Sequence, residues 1–328
     1  DEQVEYVGYL RPGSLQAGRL EGWPVHDRLR WVETPRGLMP CRGAWDRLDL
    51  YHGPNFKMHT TGRSGGIVTI HDLWLARHPE YSRKLLGQAG SSRRAIATAN
   101  RARRVVTVSE FSAREIEALY GIPRERVVVI HNGVTEEFSP VQDEQGMAVL
   151  RARWAIPSAG FILFVGGADP RKSHRVLLQA VAQSRSQLGG RAIVLVGDAE
   201  HPQGSYLATA RSLGLEQDVR CTGRLNREDL CRLYSYAEVF VFPSLYEGFG
   251  MPVLEAMACG APTITSSTSS LPEVAGDAAL LVNPEDAEAL GAAMVKVLSE
   301  QALRQQLRDR GFERTRLFTW QRAALRTS

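Results

Sequence analysis

Short apolar segments alternate with amphipathic segments along most of this 328-residue chain. Most of the apolar segments are rich in Val, Ile, Leu and Phe, which is typical of strands buried on both faces of a sheet. Strands that alternate with helices predict an α/β protein whose parallel sheets are covered by helices. The strand patterns lie at residues 4–9, 48–52, 66–70, 105–108 and 127–130, and then at 161–165, 192–196, 219–222, 239–242, 262–265 and 279–282.

Two stretches of the chain interrupt this alternation. Residues 11–50 are rich in Arg, Gly, Pro and Trp, and we interpret them as loops with short strands. Residues 136–158 lose the strand pattern and contain several acidic residues. We therefore predict two domains, residues 1–140 and 141–328, each of an ordinary domain size.

Capping residues mark the starts of several predicted helices. Ser112 and Glu115 have the spacing of a capping box before a helix that ends near Tyr120. Asn226 has the side chain of an N-cap, and Pro252 suits the first position of a helix. The remaining helical patterns lie at residues 81–102, 170–187, 206–213, 227–237, 284–298 and 301–316.

The stretch from Phe242 to Pro262 contains the most suggestive chemistry. A predicted buried strand leads into a loop with two glycines, then into a helix, and Glu247 and Glu255 lie on either side of the turn. The first amides of a helix have no backbone partner, so such a loop can bind phosphate while the carboxylates accept from hydroxyl groups. The alternative is a tight turn with solvated glutamates, which a lone Gly-x-Gly indicates more often than it indicates a site.

Similar turns end other strands of the same predicted sheet. Gly166 and Gly167 are followed by Arg171 and Lys172, a combination of amides and cations that suits a diphosphate. Residues 223–225, Gly-Arg-Leu, end the strand beside it, where backbone groups could contact a base. Each turn alone has a simpler explanation as a glycine turn with surface cations. Together they favour a ligand site, because the carboxyl ends of parallel strands meet at one edge of the sheet.

Composition narrows the class of protein. The chain is 43% hydrophobic and 23% charged, as in globular proteins, and no segment is apolar enough to span a membrane. The first residues lack the basic start and apolar core of a signal peptide. The four cysteines and eight histidines have no metal-ligand spacing, which argues against a zinc site and favours a reducing, cytoplasmic location.

The formal net charge of +4 arises from the first half of the chain. Residues 83–104 include seven basic residues and no acidic one. Such a run is most often a solvated helix face, and the alternative is peripheral contact with an anionic membrane or a phosphorylated substrate. Aromatic residues are not interleaved with the basic ones, so we do not expect nucleic-acid binding.

Several motifs resemble one enzyme family. The segments Gly-Gly…Pro-Arg-Lys-Ser, Ala-Glu-Val-Phe-Val-Phe-Pro-Ser and Glu-Gly-Phe-Gly-Met-Pro-Val-Leu-Glu-Ala-Met-Ala-Cys-Gly are similar to those of retaining family 4 glycosyltransferases. Thr-Ile-His-Asp-Leu, Val-Ser-Glu-Phe-Ser and His-Asn-Gly-Val in the first half resemble the same family. The resemblance covers residues from about 50 to 320, and the motifs of the first half resemble those of bacterial mannosyltransferases.

The resemblance implies a GT-B fold, in which two Rossmann-like parallel-sheet domains face each other across a cleft. Residues 1–140 would bind the acceptor, and residues 141–328 would bind a nucleotide-diphosphate sugar. Members of the family usually begin with a strand and a glycine-rich loop that this chain does not show, so we expect the first domain to lack them.

The resemblance also implies roles for individual residues. Arg171 and Lys172 would bind the diphosphate, Glu247 a hydroxyl of the donor sugar, and Glu255 the ribose. His71 would be the residue of the first domain nearest the transferred sugar, although a structural histidine at a strand end remains the alternative. The other donor-binding positions would be Gly166, Gly167, Gly223, Arg224, Leu225, Phe249, Gly250 and Met251.

The implied activity is transfer of a mannose- or glucose-type hexose, with retention of configuration, to a hydroxyl of a glycan or glycolipid in cell-surface polysaccharide synthesis. We expect no cofactor and no essential metal beyond the nucleotide sugar, with GDP-mannose slightly favoured over UDP-glucose. Two alternatives remain open, namely a non-catalytic nucleotide-sugar-binding or scaffold subunit and another GT-B enzyme such as a nucleotide-sugar epimerase. The predicted location is the cytoplasm, with peripheral contact at the inner face of the membrane.

Overall fold

A computed structural model describes residues 5–10, 28–34, 48–58, 65–79, 88–201 and 204–327. The chain forms two compact units. Unit 1 comprises residues 1–107, 113–129 and 328, and unit 2 comprises residues 108–112 and 130–327.

The division between the units at residues 129 and 130 lies upstream of the boundary that we predicted at residue 140. Residues 130–140 join unit 2 because their backbone bonds to it. Val134 N donates to Phe318 O at 3.0 Å, and Glu137 O accepts from Cys231 Sγ at 3.4 Å.

Unit 1 contains a four-stranded parallel sheet in the order β3-β4-β5-β6. A separate parallel pair is formed by β1 and β2. Of residues 11–50, which we interpreted as loops with short strands, only 28–34 and 48–50 are described, and the rest lie outside the described residues. The strands are β1 (Tyr6–Leu10), β2 (Leu29–Glu33), β3 (Leu50–Gly53), β4 (Gly65–Ile70), β5 (Arg104–Thr107) and β6 (Val127–Val129).

The helices near this sheet are α1 (Trp74–Arg77), α2 (Gln88–Arg101) and α3 (Glu110–Tyr120). The helix predicted over residues 81–102 is thus confirmed from Gln88 onward, and residues 80–87 lie outside the described part. The prediction of a capping box at Ser112 and Glu115 is wrong. Ser109 Oγ accepts from Ser112 N at 3.0 Å as the N-cap, and Glu115 pairs with Arg77 at 3.2 Å.

Unit 2 is built on a six-stranded parallel sheet in the order β11-β8-β7-β12-β13-β14. Numbered within the sheet, this is the order 3-2-1-4-5-6 of a Rossmann fold. The strands are β7 (Phe161–Val165), β8 (Ala192–Val196), β11 (Val219–Gly223), β12 (Val239–Phe242), β13 (Thr263–Ser266) and β14 (Ala279–Val282), and β9 (Glu200–His201) and β10 (Gly204–Ser205) form a small antiparallel pair.

The helices of unit 2 include three that the sequence patterns did not predict. One is α4, which lies in the stretch that we took as irregular, and the others are the short helix α9 and the terminal helix α12. The helices are α4 (Glu144–Trp154), α5 (His174–Ser184), α6 (Tyr206–Ser212), α7 (Arg227–Tyr236), α8 (Met251–Ala258), α9 (Leu271–Ala275), α10 (Ala287–Ser299), α11 (Gln301–Thr315) and α12 (Trp320–Thr327).

The central strands of unit 2 are apolar throughout because helices cover both faces of the sheet. All four residues of β12 are buried, and the rings of Phe240 and Phe242 stack with centroids 6.0 Å apart. Tyr234 of α7 meets Phe240 edge-on at 5.4 Å. Packing at this strand therefore fixes the position of the loop that follows it, at the edge of the sheet where polar residues cluster.

We expect Phe240→Ala to lower the free energy of unfolding of unit 2 by about 3–5 kcal/mol, because it removes a fully buried ring and leaves a cavity. Leu281→Ala on β14 is the matched control, since Leu281 is 41% exposed and its loss should cost much less. Chemical denaturation followed by circular dichroism measures both changes. Equal losses in the two variants would contradict this account of the core.

Candidate functional site

The strand order of unit 2 reverses between β7 and β12, and the loops after these two strands meet there. Leu245 N donates to Arg171 O at 2.8 Å, and Ser244 Oγ lies 3.0 Å from the same carbonyl. The crevice outside the carboxyl ends of the strands at such a switch point is where open α/β sheets bind ligands. The sequence-predicted residues Arg171, Lys172 and Glu247 all belong to these two loops.

Lys172 and Glu247 form an ion pair between the two loops. The distance from Lys172 Nζ to Glu247 Oε1 is 2.6 Å, and the two side chains are only 15% and 10% exposed. The ammonium also lies 4.9 Å from the centroid of the Phe242 ring. Since an ammonium has three N–H groups, Lys172 can hold Glu247 and still donate to a ligand.

Glu247 remains ionised despite its burial. Burial by itself would raise the pKa of this carboxyl, but the charges of Lys172 and Arg171 and hydrogen bonds from Lys172 and Ser244 outweigh it and hold the pKa below its ordinary value. Ser244 Oγ donates to Glu247 Oε1 at 2.7 Å. The side chain is therefore a fixed acceptor for a ligand hydroxyl.

Arg171 is placed by a single 3-10 turn, Pro170–Lys172, that follows β7. Asp169 caps this turn, because its Oδ1 accepts from Arg171 N at 2.9 Å. The Arg171 side chain is 19% exposed, and its Nε lies 3.9 Å from Asp169 Oδ2. The turn brings a guanidinium and an ammonium to adjacent positions at the carboxyl end of β7.

Gly166 and Gly167 form the first part of the same loop. Gly166 N donates to Val196 O at 2.8 Å, and its carbonyl accepts from the hydroxyl of Tyr206. A Cβ on Gly167 would lie 3.8 Å from the Asp198 carbonyl, so this position has room for a side chain in the protein alone. Crowding within the protein therefore does not explain the glycine at 167.

The turn at residues 223–225 lies one strand farther from β7 than we predicted, because β8 lies between β7 and β11. Gly197, after β8, links the turns, since its N donates to Gly223 O at 2.9 Å. Arg224 pairs with Asp198 at 2.6 Å through two nitrogens, although the side chains are 81% and 55% exposed. Leu225 packs against the core.

Glu255 lies on α8 and has a different electrostatic environment from Glu247. Burial raises its pKa above the ordinary value. A hydrogen bond with Tyr234 and the charge of Arg227 lower the pKa, but they offset only part of the effect of burial. Tyr234 Oη donates to Glu255 Oε2 at 3.1 Å. The helix begins at Met251, one residue before the predicted start.

The loop before α8 presents backbone amides from Phe249, Gly250 and Met251. Gly250 precedes the helix with a φ of 111°, a left-handed conformation that favours glycine. Phe249 is buried and meets the ring of Phe318 edge-on at 5.7 Å. The ring therefore fixes this part of the loop while its backbone remains at the edge of the sheet.

The hydroxyl groups that support this loop were not predicted from the sequence. Glu247 N donates to Ser269 Oγ at 3.1 Å, and Thr268 Oγ1 donates to Leu245 O at 3.0 Å. One signal was the run Ser-Ser-Thr-Ser-Ser at residues 266–270, which is common in ordinary loops. The other was the segment Ser-Ser-Leu-Pro-Glu-Val from residue 269, which also resembles the family named above but indicates none of these contacts.

Glu273 of α9 is a further missed residue. Its carboxylate accepts from Glu110 N at 2.8 Å, Phe111 N at 3.1 Å and His131 Nε2 at 2.7 Å. Burial opposes ionisation, but these hydrogen bonds and the proximity of His131 hold the pKa of Glu273 below its ordinary value. Nothing near Glu273 in the sequence indicated partners more than 140 residues away.

His71 lies at the end of β4 in unit 1, as predicted. Its Nε2 donates to Pro54 O at 2.9 Å, which leaves Nδ1 as the acceptor of the neutral ring. The neighbouring Asp72 accepts from Trp74 N at 3.1 Å, as expected for a residue that caps a turn. The role of His71 toward a sugar stays a prediction.

No group of three His, Cys, Asp or Glu side chains that could hold a metal ion occurs among the described residues. The described helices also include none that is long and apolar enough to cross a membrane. Part of the predicted basic run, including Arg83 and Lys84, lies outside the described residues.

Comparison with known proteins identifies two family models in this chain. The model described as Glycosyl transferases group 1 matches residues 149–314, and Glycosyltransferase Family 4 matches residues 3–138. The two matches do not overlap, and residues 139–148 lie between them.

The chain is similar to O-antigen chain mannosyltransferase B of Escherichia coli, with 32% identity over 303 residues that span 90% of this chain and 78% of that protein. It is 33% identical to the serotype-specific mannosyltransferase WbdA of E. coli over 70% of this chain and 28% of WbdA. HepE of Anabaena, solved with UDP and glucose, matches with a TM-score of 0.76 at 18% identity over 99% of this chain and 97% of HepE. The GT-B fold predicted from the sequence is confirmed.

We expect the free energy of unfolding to fall as the pH decreases below 4.5, the ordinary pKa of glutamate. Glu247 and Glu273 have lower pKa values in the folded protein than in the unfolded chain. As the pH falls, the unfolded chain therefore binds protons at a higher pH than the folded protein does, and acid shifts the equilibrium toward unfolding. Their stabilising contribution is present above 4.5 and is lost as the pH falls through the folded pKa values.

Urea denaturation between about pH 3 and pH 6 measures this dependence. Glu247→Gln should make the loss of stability below 4.5 less steep, because one of the two groups no longer titrates. Glu285→Gln, at an exposed position, is the control. An unchanged pH dependence in Glu247→Gln would contradict the assignment.

Proposed function

Because this chain belongs to the family 4 glycosyltransferases, we propose that it moves a hexose from a nucleoside-diphosphate sugar to a hydroxyl of a glycan or lipid-linked acceptor. The observation that carries the proposal is the Lys172–Glu247 pair at the switch point of unit 2, with Arg171 beside it. Cations for a diphosphate and an ionised acceptor for a sugar hydroxyl therefore lie next to each other.

The diphosphate would be bound by Arg171, Lys172 and the amides of residues 249–251. Negative charge grows on the diphosphate as the sugar departs, so cations and amide donors fixed at this point bind the transition state more strongly than the ground state. Gly166 and Gly167 would let the ligand approach the backbone after β7.

The sugar and the nucleoside would be recognised by acceptors. Glu247 accepts from a hydroxyl of the hexose, and Glu255 accepts from the ribose. Residues 223–225 would contact the base at the end of β11. We further propose that His71 acts on the transferred sugar.

We propose that transfer retains the anomeric configuration by reaction on one face. The acceptor oxygen bonds to C1 on the side from which the diphosphate leaves, the bond from C1 to the phosphate oxygen breaks, and a phosphate oxygen takes the acceptor proton. A double displacement would need a carboxylate nucleophile. Glu247 is the one buried carboxylate that the structure describes in these two loops, and Lys172 and Ser244 already hold it, which supports the first route.

We propose that no metal is essential, because Arg171 and Lys172 supply positive charge where a metal would otherwise stabilise the leaving group. Mannose carried on GDP is the favoured donor, since the O-antigen enzyme and WbdA are mannosyltransferases. UDP-glucose is the alternative. The acceptor would belong to cell-surface polysaccharide synthesis at the inner face of the membrane.

Thermal denaturation with GDP-mannose, UDP-glucose and ADP-glucose tests the donor. A ligand at a hundredfold excess over its Kd should stabilise the folded protein by about 2.7 kcal/mol, with or without EDTA. Release of nucleoside diphosphate would then be assayed, and the anomer of the product would be assigned by nuclear magnetic resonance. Binding without turnover on any acceptor would favour the non-catalytic subunit, and no binding of any nucleotide sugar would refute the proposal.

We expect Arg171→Ala to raise the Kd for GDP or UDP by about 10- to 100-fold, because a hydrogen bond to a charged group contributes about 1.5–3 kcal/mol. The Kd for guanosine or uridine should remain within about twofold. Arg175→Ala, at an exposed position on α5, is the matched control and should change neither. Isothermal titration calorimetry measures all three proteins, and equal losses for nucleoside and nucleotide would count against the assignment.

A further inference from the structure

Buried serine hydroxyls hold the carbonyl groups of the loop between β12 and α8. Gly248 O accepts from Ser109 Oγ at 2.7 Å and from Ser112 Oγ at 3.3 Å. The carbonyls of Glu247 and Phe249 both converge on Ser270 Oγ, at 2.9 Å and 2.8 Å. All three serines are fully buried, so these carbonyls point into the protein.

The orientation of a carbonyl determines the orientation of the next amide. The peptide between Gly248 and Phe249 is trans, so its N–H points away from its C=O. Because Gly248 O points toward Ser109 and Ser112, the Phe249 N–H points the opposite way. In the part of the chain that the structure describes, this N–H donates to no other residue.

The two serines are themselves firmly placed within unit 2. Val108 belongs to the hydrophobic core of that unit, and Ser109 Oγ also accepts from Ser112 N at 3.0 Å. The carboxylate of Glu273 accepts from Glu110 N and Phe111 N, so the first turn of α3, which follows Ser109, is also fixed. The hydroxyls are thus rigid supports for the loop.

We infer that Ser109 and Ser112 are positioning residues of the donor site, because they orient the Gly248–Phe249 peptide so that its N–H meets the diphosphate or sugar of a nucleoside-diphosphate sugar. This inference rests on the function proposed above and extends it to residues that touch no ligand. The effect acts on the part of the ligand beyond the nucleoside.

The geometry also predicts how the effects of removing the Ser109 and Ser112 hydroxyls combine. A carbonyl oxygen has two lone pairs, and both serines donate to Gly248 O. Removal of one hydroxyl leaves the other in place, whereas removal of both leaves a buried carbonyl without a donor. The two substitutions should therefore be strongly non-additive.

Calorimetric titration of the full chain with GDP-mannose, UDP-glucose, guanosine and uridine tests the inference. For the nucleotide sugar that the wild-type protein binds, Ser112→Ala should raise the Kd less than about twofold, and Ser109→Ala, which removes the shorter bond, about threefold. The double variant should raise it about thirtyfold or more, well above the product of the two single effects. The Kd for the nucleoside should stay within about twofold in every variant. A purely structural role of the serines would raise the Kd for the nucleotide sugar and the Kd for the nucleoside by similar factors.

Thr263→Val is the matched control, because Thr263 Oγ1 is also buried and donates to a carbonyl, Ala261 O, but at the opposite end of the sheet. It should lose stability without a change in either Kd. If the double variant does not fold, Ser109→Ala decides, since it removes the shorter bond. A rise of about threefold in the Kd for the nucleotide sugar, with the Kd for the nucleoside unchanged, supports the inference, and an unchanged Kd for the nucleotide sugar overturns it.

The outcomes also separate this inference from the proposed function. If the wild-type protein binds neither nucleotide sugar, the donor site is wrong and the serine inference is wrong with it. If the wild-type protein binds one of them and the folded double variant binds it equally well, only the role of Ser109 and Ser112 is refuted.

Discussion

The buried ion pair of Lys172 and Glu247 is the interaction on which the arrangement of the site depends. It joins the loops after β7 and β12, where the strand order of unit 2 reverses. Removing two charges from water is costly, and here Ser244, the Phe242 ring and the short ion-pair distance offset that cost. The pair leaves Glu247 ionised and brings Arg171 next to it, so one interaction sets both the shape and the charge of the crevice.

The two glutamates of the motif differ because their surroundings differ. Glu247 lies beside cations, and its pKa is lowered, whereas Glu255 is supported mainly by the Tyr234 hydroxyl, and its pKa is raised. One sequence motif thus provides two carboxylates whose pKa values are shifted in opposite directions. Residue type alone gives no indication of this difference, which comes from burial and from the neighbouring groups.

Sequence patterns predicted the strands of unit 2 well, because strands buried on both faces are apolar throughout. The same patterns also predicted that Arg171, Lys172 and Glu247 lie at one edge of the sheet, since the carboxyl ends of parallel strands share that edge. The start of α3 was misplaced, because Ser109 and Ser112 both suit a cap and only the tertiary contacts distinguish them. The roles of Ser270 and Glu273 depend on partners distant in sequence, which no local pattern records. The domain boundary at residue 140 and the ligand roles of the site residues stay predictions.

Unit 2 is discontinuous in sequence, since residues 108–112, which include the start of α3, belong to it although they precede β6. This has a consequence for engineering by domain exchange. A chimera joined near residue 140 would take Ser109 and Ser112 from one parent and Gly248 from the other, although the three residues form a single hydrogen-bonded group. A junction that respects the linear order of the chain therefore divides a structural element, and compatible parents must match at residues 108–112 as well as within the exchanged half.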